Sequence, residues 1–150
     1  MNCHDPDSLY SVFTQVIRFH YYRTHMLFDK IGVYPGQPYL LFALGRQDGQ
    51  SQKELAEKLY LKAATITVML NRMEKAKLIV RRSDKEDQRI SRVYLTDEGR
   101  ELLAKVKEML KTIEAECFSN FTVEEQLLLR RLLMQMKDNL TTVCEHNTNV

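Results

Sequence analysis

A chain of 150 residues, 44% hydrophobic and 28% charged, is the size of one domain or a compact pair of subdomains and can bury a core of its own. Five Gly and three Pro among many Leu, Lys, Glu and Met favour helix. A net charge of +2 excludes a polycation, so any nucleic-acid site has to come from local clustering of charge.

No apolar run approaches the length of a membrane span, and the polar N-terminus, Met1 to Asp5, lacks the apolar stretch of a signal peptide. A cytoplasmic protein without membrane contact is expected. The cysteines, Cys3, Cys117 and Cys144, are odd in number and lack ligand spacing, which predicts free thiols. His4, His20, His25 and His146 also lack ligand spacing, and there is no Gly-rich phosphate loop or nucleophile elbow. The expectation is a non-enzyme that needs no cofactor and no metal.

In chain order, Asp7 or Ser8 caps a long helix from Leu9 to Ile31. Leu9, Val12, Phe13, Val16, Ile17, Leu27 and Ile31 share one face. His20, Arg23 and Thr24 interrupt that face. Buried polar groups need partners, so the patch is either a satisfied core histidine with a cross-helix ion pair or the wall of a pocket for an anionic ligand. Gly32 to Pro38 is a breaker segment, with Pro38 in the first turn of a short apolar helix, Tyr39 to Leu44. This helix should be the buried floor of the next unit.

Ser51-Gln52-Lys53-Glu54 is a capping box. It opens a short helix whose Leu55, Ala56 and Leu59 face inwards. After a turn at Tyr60-Leu61-Lys62, a second helix is predicted from about Lys62 to Lys77, with Ile66, Met69, Leu70 and Met73 inside. Its other face carries Ala64, Thr67, Val68, Asn71 and Lys75, flanked by Thr65 and Arg72. Small residues at its start let the backbone approach base edges, and cations at its end meet phosphates. No conventional cap precedes it, so its first N–H groups are free for a phosphate or are solvated.

Ile79–Arg82 and Ile90–Leu95 alternate like half-buried strands around a charged tip, residues 83–89. After a helix-turn-helix, such a hairpin reads as a wing. Arg89 or Arg92 enters the minor groove, with Asp87 holding the arginine extended. Thr96 caps another helix reaching about Phe118, and Thr122-Val123-Glu124-Glu125 is a second capping box. The last helix carries Leu127, Leu128, Leu132, Leu133, Met136, Leu140 and Val143, more apolar surface than one neighbour covers. With the first helix it should form a dimer interface. The tail from Glu145 should be disordered. The predicted fold is mainly α with a small β wing: a winged helix-turn-helix lobe over 35–99, with dimerisation helices over 8–34 and 100–144.

This order of elements resembles the MarR family of bacterial regulators. Ser51-Gln52-Lys53-Glu54-Leu55-Ala56 is similar to the first helix of that family's motif. Thr65-Ile66-Thr67 through Leu70-Asn71-Arg72-Met73-Glu74-Lys75, followed by Leu78-Ile79, resembles its recognition helix and exit. Arg82, Asp87-Gln88-Arg89 and Leu95-Thr96-Asp97-Glu98-Gly99 resemble its wing and the cap beyond. The resemblance implies a homodimeric transcription factor, a repressor on a pseudo-palindromic double-stranded DNA operator, with recognition helices in successive major grooves and wings in the flanking minor grooves. The expected DNA-contacting set is Ser51, Lys62, Thr65, Thr67, Val68, Asn71, Arg72, Lys75, Arg82, Asp87, Arg89 and Arg92. Asn71 and Arg72 are its best base readers, so specificity should lean on the wing and on DNA shape. Gln88 stands where an arginine is common in the family, which removes one phosphate or salt-bridge contact.

The resemblance also implies release of DNA by a small aromatic or anionic effector, with His20, Arg23, Tyr39, Phe42 and Arg46 as its candidate cleft. Two alternatives remain. A thiol-based redox branch of the family carries a cysteine early in the first long helix, where this chain has none between Leu9 and Val16. A winged-helix module for protein–protein contact would lack a cationic rim.

Overall fold

Ser8 starts the first helix, α1 (Leu9–Asp29), by accepting a hydrogen bond on its hydroxyl from the Ser11 amide at 3.3 Å. In this computed structural model, which describes residues 5–147 and side chains over 5–143, there follow α2 (Gln37–Arg46), β1 (Gln50–Ser51), α3 (Gln52–Lys58), α4 (Ala63–Lys75), β2 (Ile79–Ser83), β3 (Ser91–Leu95), α5 (Asp97–Phe118) and α6 (Val123–Asn147). The mainly helical class with a small antiparallel sheet agrees with the sequence reading.

The chain divides into two compact units, Met1–Ile113 and Glu114–Val150. The core of the first gathers Leu40, Leu41 and Leu44 of α2, Leu55 of α3, and Ile66, Leu70 and Met73 of α4, all at most 1% exposed. Val93 and Leu95 of β3 and Leu103 and Val106 of α5 close it. Burying each such side chain contributes about 1.5–3 kcal/mol. The expected inward face of α4 is thus the observed one, except that Met69 is half-buried, whereas α2, expected to be buried, buries Leu40, Leu41 and Leu44 but leaves Tyr39 exposed.

Helix α1 behaves differently. Leu27 and Phe28 are buried, whereas Leu9, Val12, Val16 and Ile17 lie exposed on the expected apolar stripe. It ends at Asp29, and Ile31 falls in the following turn, packed against the core. In the second unit, Thr122 and Glu125 form the expected capping box, with bonds of 2.8 and 3.2 Å, and Phe118 packs edge-on to Phe121. Leu127, Leu128, Leu132, Leu133, Leu140 and Val143 of α6 are exposed. The helix continues through Glu145–Asn147, against the expectation of a disordered tail there; residues 148–150 lie outside the described residues.

The sheet has three strands in the order β1-β3-β2, all antiparallel. The wing strands pair from Ile79 with Leu95 to Ser83 with Ser91. β1 is absent from the sequence reading because two residues carry no periodicity. It pairs Gln50 with Val93 and Ser51 with Arg92, and it follows Gly49, whose φ of +75° suits glycine. Gln50 is polar yet 1% exposed. Its amide donates to the carbonyls of Ala43 and Gln47 and accepts from Lys58 Nζ, so burial leaves neither end of it unpaired.

Candidate nucleic-acid interface

Helix α3 begins in the predicted capping box: Ser51 N–H donates to the Glu54 carboxylate at 2.7 Å, and Glu54 N–H donates to the Ser51 hydroxyl at 3.2 Å. The Ser51 amide, by donating to the carboxylate, is the largest cause that holds the Glu54 pKa below its ordinary value. Ser51 is therefore a helix cap first. The turn to α4 passes through Tyr60 at φ 52° and Lys62 in an extended conformation, with no side chain capping α4. Ala64, Thr65, Val68, Asn71, Arg72 and Lys75 are exposed on α4, and Lys62 is exposed at its start. Arg72 and Lys75 lie in its last turn, where cations also favour the helix dipole. The small-to-basic gradient is thus present on the accessible face.

Like Ser51, the predicted residues Thr67, Asn71 and Arg92 are tied up within the chain. Thr67, expected to face outwards, is half-buried: its hydroxyl donates to the Ala63 carbonyl at 2.7 Å and accepts from Gln52 Nε2 at 2.6 Å, bracing α3 against α4. Asn71 Oδ1 accepts from Arg81 Nη2 at 2.7 Å. Arg92, expected at the minor groove, is held at the base of the wing. Its Nε donates to Asp84, its Nη1 donates to the Gly49 carbonyl at 3.0 Å, and Glu54 lies 3.6 Å away. Of the two arginines proposed for the groove, only Arg89 lies at the tip, where it is exposed.

The wing's carboxylates also exchange roles. Asp87, expected to extend an arginine side chain, accepts from the Arg89 backbone N–H at 3.0 Å and so shapes the tip. Asp84 bonds the guanidinium of Arg92 and also accepts from the Glu86 and Asp87 amides at 2.8 and 3.0 Å. Chiefly through Arg92, then through those amides, its pKa falls from 3.8 to about 2. Arg82 lies directly across from Arg92 in the register, an unfavourable like-charge pair. Asp84 offsets one charge, and the Tyr94 ring, 5.3 Å from Arg82, receives the other.

A pH prediction follows from Asp84. Its folded pKa lies below the unfolded value, so its contribution to wing order is present above 3.8 and is lost as pH falls through about 2. The amide chemical shifts of Glu86 and Asp87 should titrate with a midpoint near 2. A midpoint at the ordinary aspartate value would show that the latch does not form.

The expected effector set separates. Tyr39, Phe42 and Arg46 line one cleft of about 640 Å³, together with Lys58 and Leu59. His20 and Arg23 do not line it. His20 is exposed on α1, so it needs no buried partner, while the Thr24 hydroxyl oxygen is buried without a hydrogen bond among the described residues. Of the thiols, Cys117 is free and exposed; Cys3 and the Cys144 side chain lie outside the described residues. No helix among the described residues is long and apolar enough to cross a membrane.

Arg81, Gln52 and Asp84 were missed as site residues. Arg81 shares the strand parity of buried Ile79, and an arginine on the inward face of a strand signals a specific partner. Asp84, just past a strand end and bonding amides two and three residues on, has the pattern of an Asx turn.

Residues 33–91 match the MarR family model. The chain is 34% identical over 104 residues to the uncharacterized HTH-type transcriptional regulator YdgJ of Bacillus subtilis (strain 168), which covers 69% of this chain and 63% of that protein. It is 34% identical over 99 residues to the HTH-type transcriptional repressor MdtR of the same organism, with 66% and 64% covered. The match therefore spans a little under two thirds of each relative. A solved structure of the transcriptional repressor CouR bound to a 23-mer DNA duplex superposes with a TM-score of 0.76 at 21% identity, covering 94% of this chain and 98% of that one; at that identity it speaks for the fold. With helix-turn-helix, wing and flanking helices in the same order, the chain has the MarR fold, and over residues 33–91 it is similar to the MarR family of winged-helix transcriptional regulators.

Proposed function

We propose that the chain is a DNA-binding transcriptional regulator, a repressor acting in the cytoplasm as a homodimer on a pseudo-palindromic operator. One observation carries the reading: α4 leaves Thr65, Val68, Arg72 and Lys75 accessible beside a wing whose base is latched and whose tip presents Arg89. A rigid helix with a small-to-basic gradient fits a major groove, and a cationic tip fits the adjacent minor groove. The CouR–duplex complex and the repressor MdtR support DNA as the partner and repression as the sign. Lys62, Arg72, Lys75, Arg82 and Arg89 give the rim a cationic character that a protein-docking module would lack.

The dimer rests on the exposed apolar residues of α1 and of α6, which a second copy covers. A small aromatic or anionic effector fits the Tyr39–Phe42–Arg46 cleft, where two rings supply apolar walls and Arg46 a charge.

The test is binding to duplex DNA from upstream of the chain's own gene across a salt series. With about 0.9 counterions released per phosphate, five cations from each of two copies set an upper slope of about −9 in log K against log salt. A steep slope is expected. Failure to bind any duplex at low salt, the upstream region included, overturns the reading. Repeating the assay with aromatic carboxylates tests the cleft, and unchanged affinity removes it as an effector site.

A further inference from the structure

Asn71 is the only amide side chain on α4, and its orientation is fixed by a residue from another element. A carboxamide has an acceptor end and a donor end of nearly the same shape, so its partners decide which way it points. Arginine carries no acceptor. The Arg81 Nη2 atom at 2.7 Å therefore requires Oδ1 on the β2 side and turns Nδ2 away from it.

Arg81 is itself held. Its register partner is Val93, 1% exposed in the sheet, so the pairing sets where its side chain leaves the backbone. Its Nη1 lies 3.5 Å from the carboxylate of Glu74, three residues beyond Asn71 on the same face of α4. Its Nε is buried and makes no hydrogen bond among the described residues. One guanidinium thus spans a turn of α4 and leaves Asn71 little rotational freedom.

This orientation bears on base reading. The two-bond fork by which asparagine reads adenine needs Oδ1 to accept from N6 while Nδ2 donates to N7. With Oδ1 directed to Arg81, one of its two lone pairs is taken and the acceptor is drawn towards β2, which disfavours the fork and leaves Nδ2 as the end that Asn71 offers. We propose that Arg81 is a positioning residue for base recognition: it fixes Asn71 as a hydrogen-bond donor, which favours guanine over adenine at the base pair that Asn71 meets. Guanine presents two acceptors, N7 and O6, whereas adenine places its N6 amine, also a donor, opposite the Asn71 amine. The inference rests on the reading that α4 enters the major groove.

The experiment measures affinities of the full chain for duplexes in which each base pair of the footprinted upstream site is varied in turn. Wild type should prefer guanine at one base pair per half-site by about tenfold, within the range of a good base contact. Asn71→Ala should abolish the preference at that pair alone. Arg81→Met frees the amide to rotate, so the preference should vanish or reverse towards adenine at the same pair, with the salt slope and other positions unchanged. An unaltered guanine-to-adenine ratio in Arg81→Met overturns the inference, and so does an equal loss at every position, which a merely structural role would give. Should Arg81→Met not fold, Glu74→Gln loosens the same clamp and should reduce the preference at that pair; an unchanged ratio there counts equally against the inference. Absence of any duplex binding by wild type removes the functional reading and this inference with it. Binding with an unaltered ratio in the variants removes the inference alone.

Discussion

Gly99→Ala should destabilise the first unit by about 3 kcal/mol, the upper end of what overpacking costs. Gly99 is buried in the first turn of α5, and a Cβ built there would lie 2.1 Å from the Leu78 carbonyl oxygen and 3.1 Å from Leu95 Cδ2. The nearer neighbour is backbone, so no rotamer change relieves the clash. That carbonyl also accepts from Thr96 N–H at 3.1 Å, while the Thr96 hydroxyl donates to Lys77 O and accepts from Gly99 N–H. Moving α5 outward would break the cap and the link to the exit of α4 together. Urea unfolding should show a lower midpoint with an unchanged slope. A loss within about 0.5 kcal/mol, the usual range for an innocuous surface change, would mean that the helix start yields without cost.

The double variant Val16→Glu/Ile17→Glu should be monomeric and bind operator DNA about 10²- to 10⁴-fold more weakly, the range that separates a linked pair of sites from a single one. Both residues are more than half exposed in the single chain, at 59% and 51%, so the substitutions leave its core intact. In a two-fold interface each substitution acts twice, bringing like charges into an apolar contact. Analytical ultracentrifugation alongside circular dichroism separates dissociation from unfolding. A folded dimer with native affinity would place the contact between copies elsewhere than on α1.

What could be read from residues alone depended on how local the governing physics is. The capping boxes at Ser51–Glu54 and Thr122–Glu125 are four-residue patterns whose bonds form within one turn, and the structure contains both. The inward face of α4 followed from the helical period of Ile66, Leu70 and Met73. The wing strands were found to within a residue, whereas β1 was missed because it exists only through its pairing with Val93 and Arg92. The site residues divided in the same way. Exposure of Arg72 and Lys75 was visible in the periodicity, but the ties of Thr67 to Gln52, Asn71 to Arg81 and Arg92 to Gly49 cross 15, 10 and 43 residues of chain. Sequence spacing carries no trace of such distances, and each tie assigns a side chain to bracing or positioning that its exposed neighbours do not share.

The short strand β1 has a mechanical consequence. Ser51 pairs with Arg92 in the sheet and is also the residue from which α3 begins, and Arg92 reaches both Glu54 in the first turn of α3 and the Gly49 carbonyl. The wing is therefore not a free flap on a two-residue hinge. A sideways load on its tip is delivered as torque to the start of α3 and, through Gln52 and Thr67, to α4. Hairpin and helix pair are thus braced as one bracket, so on the proposed reading the span from the α4 face to the wing tip acts as a gauge for the duplex that it meets.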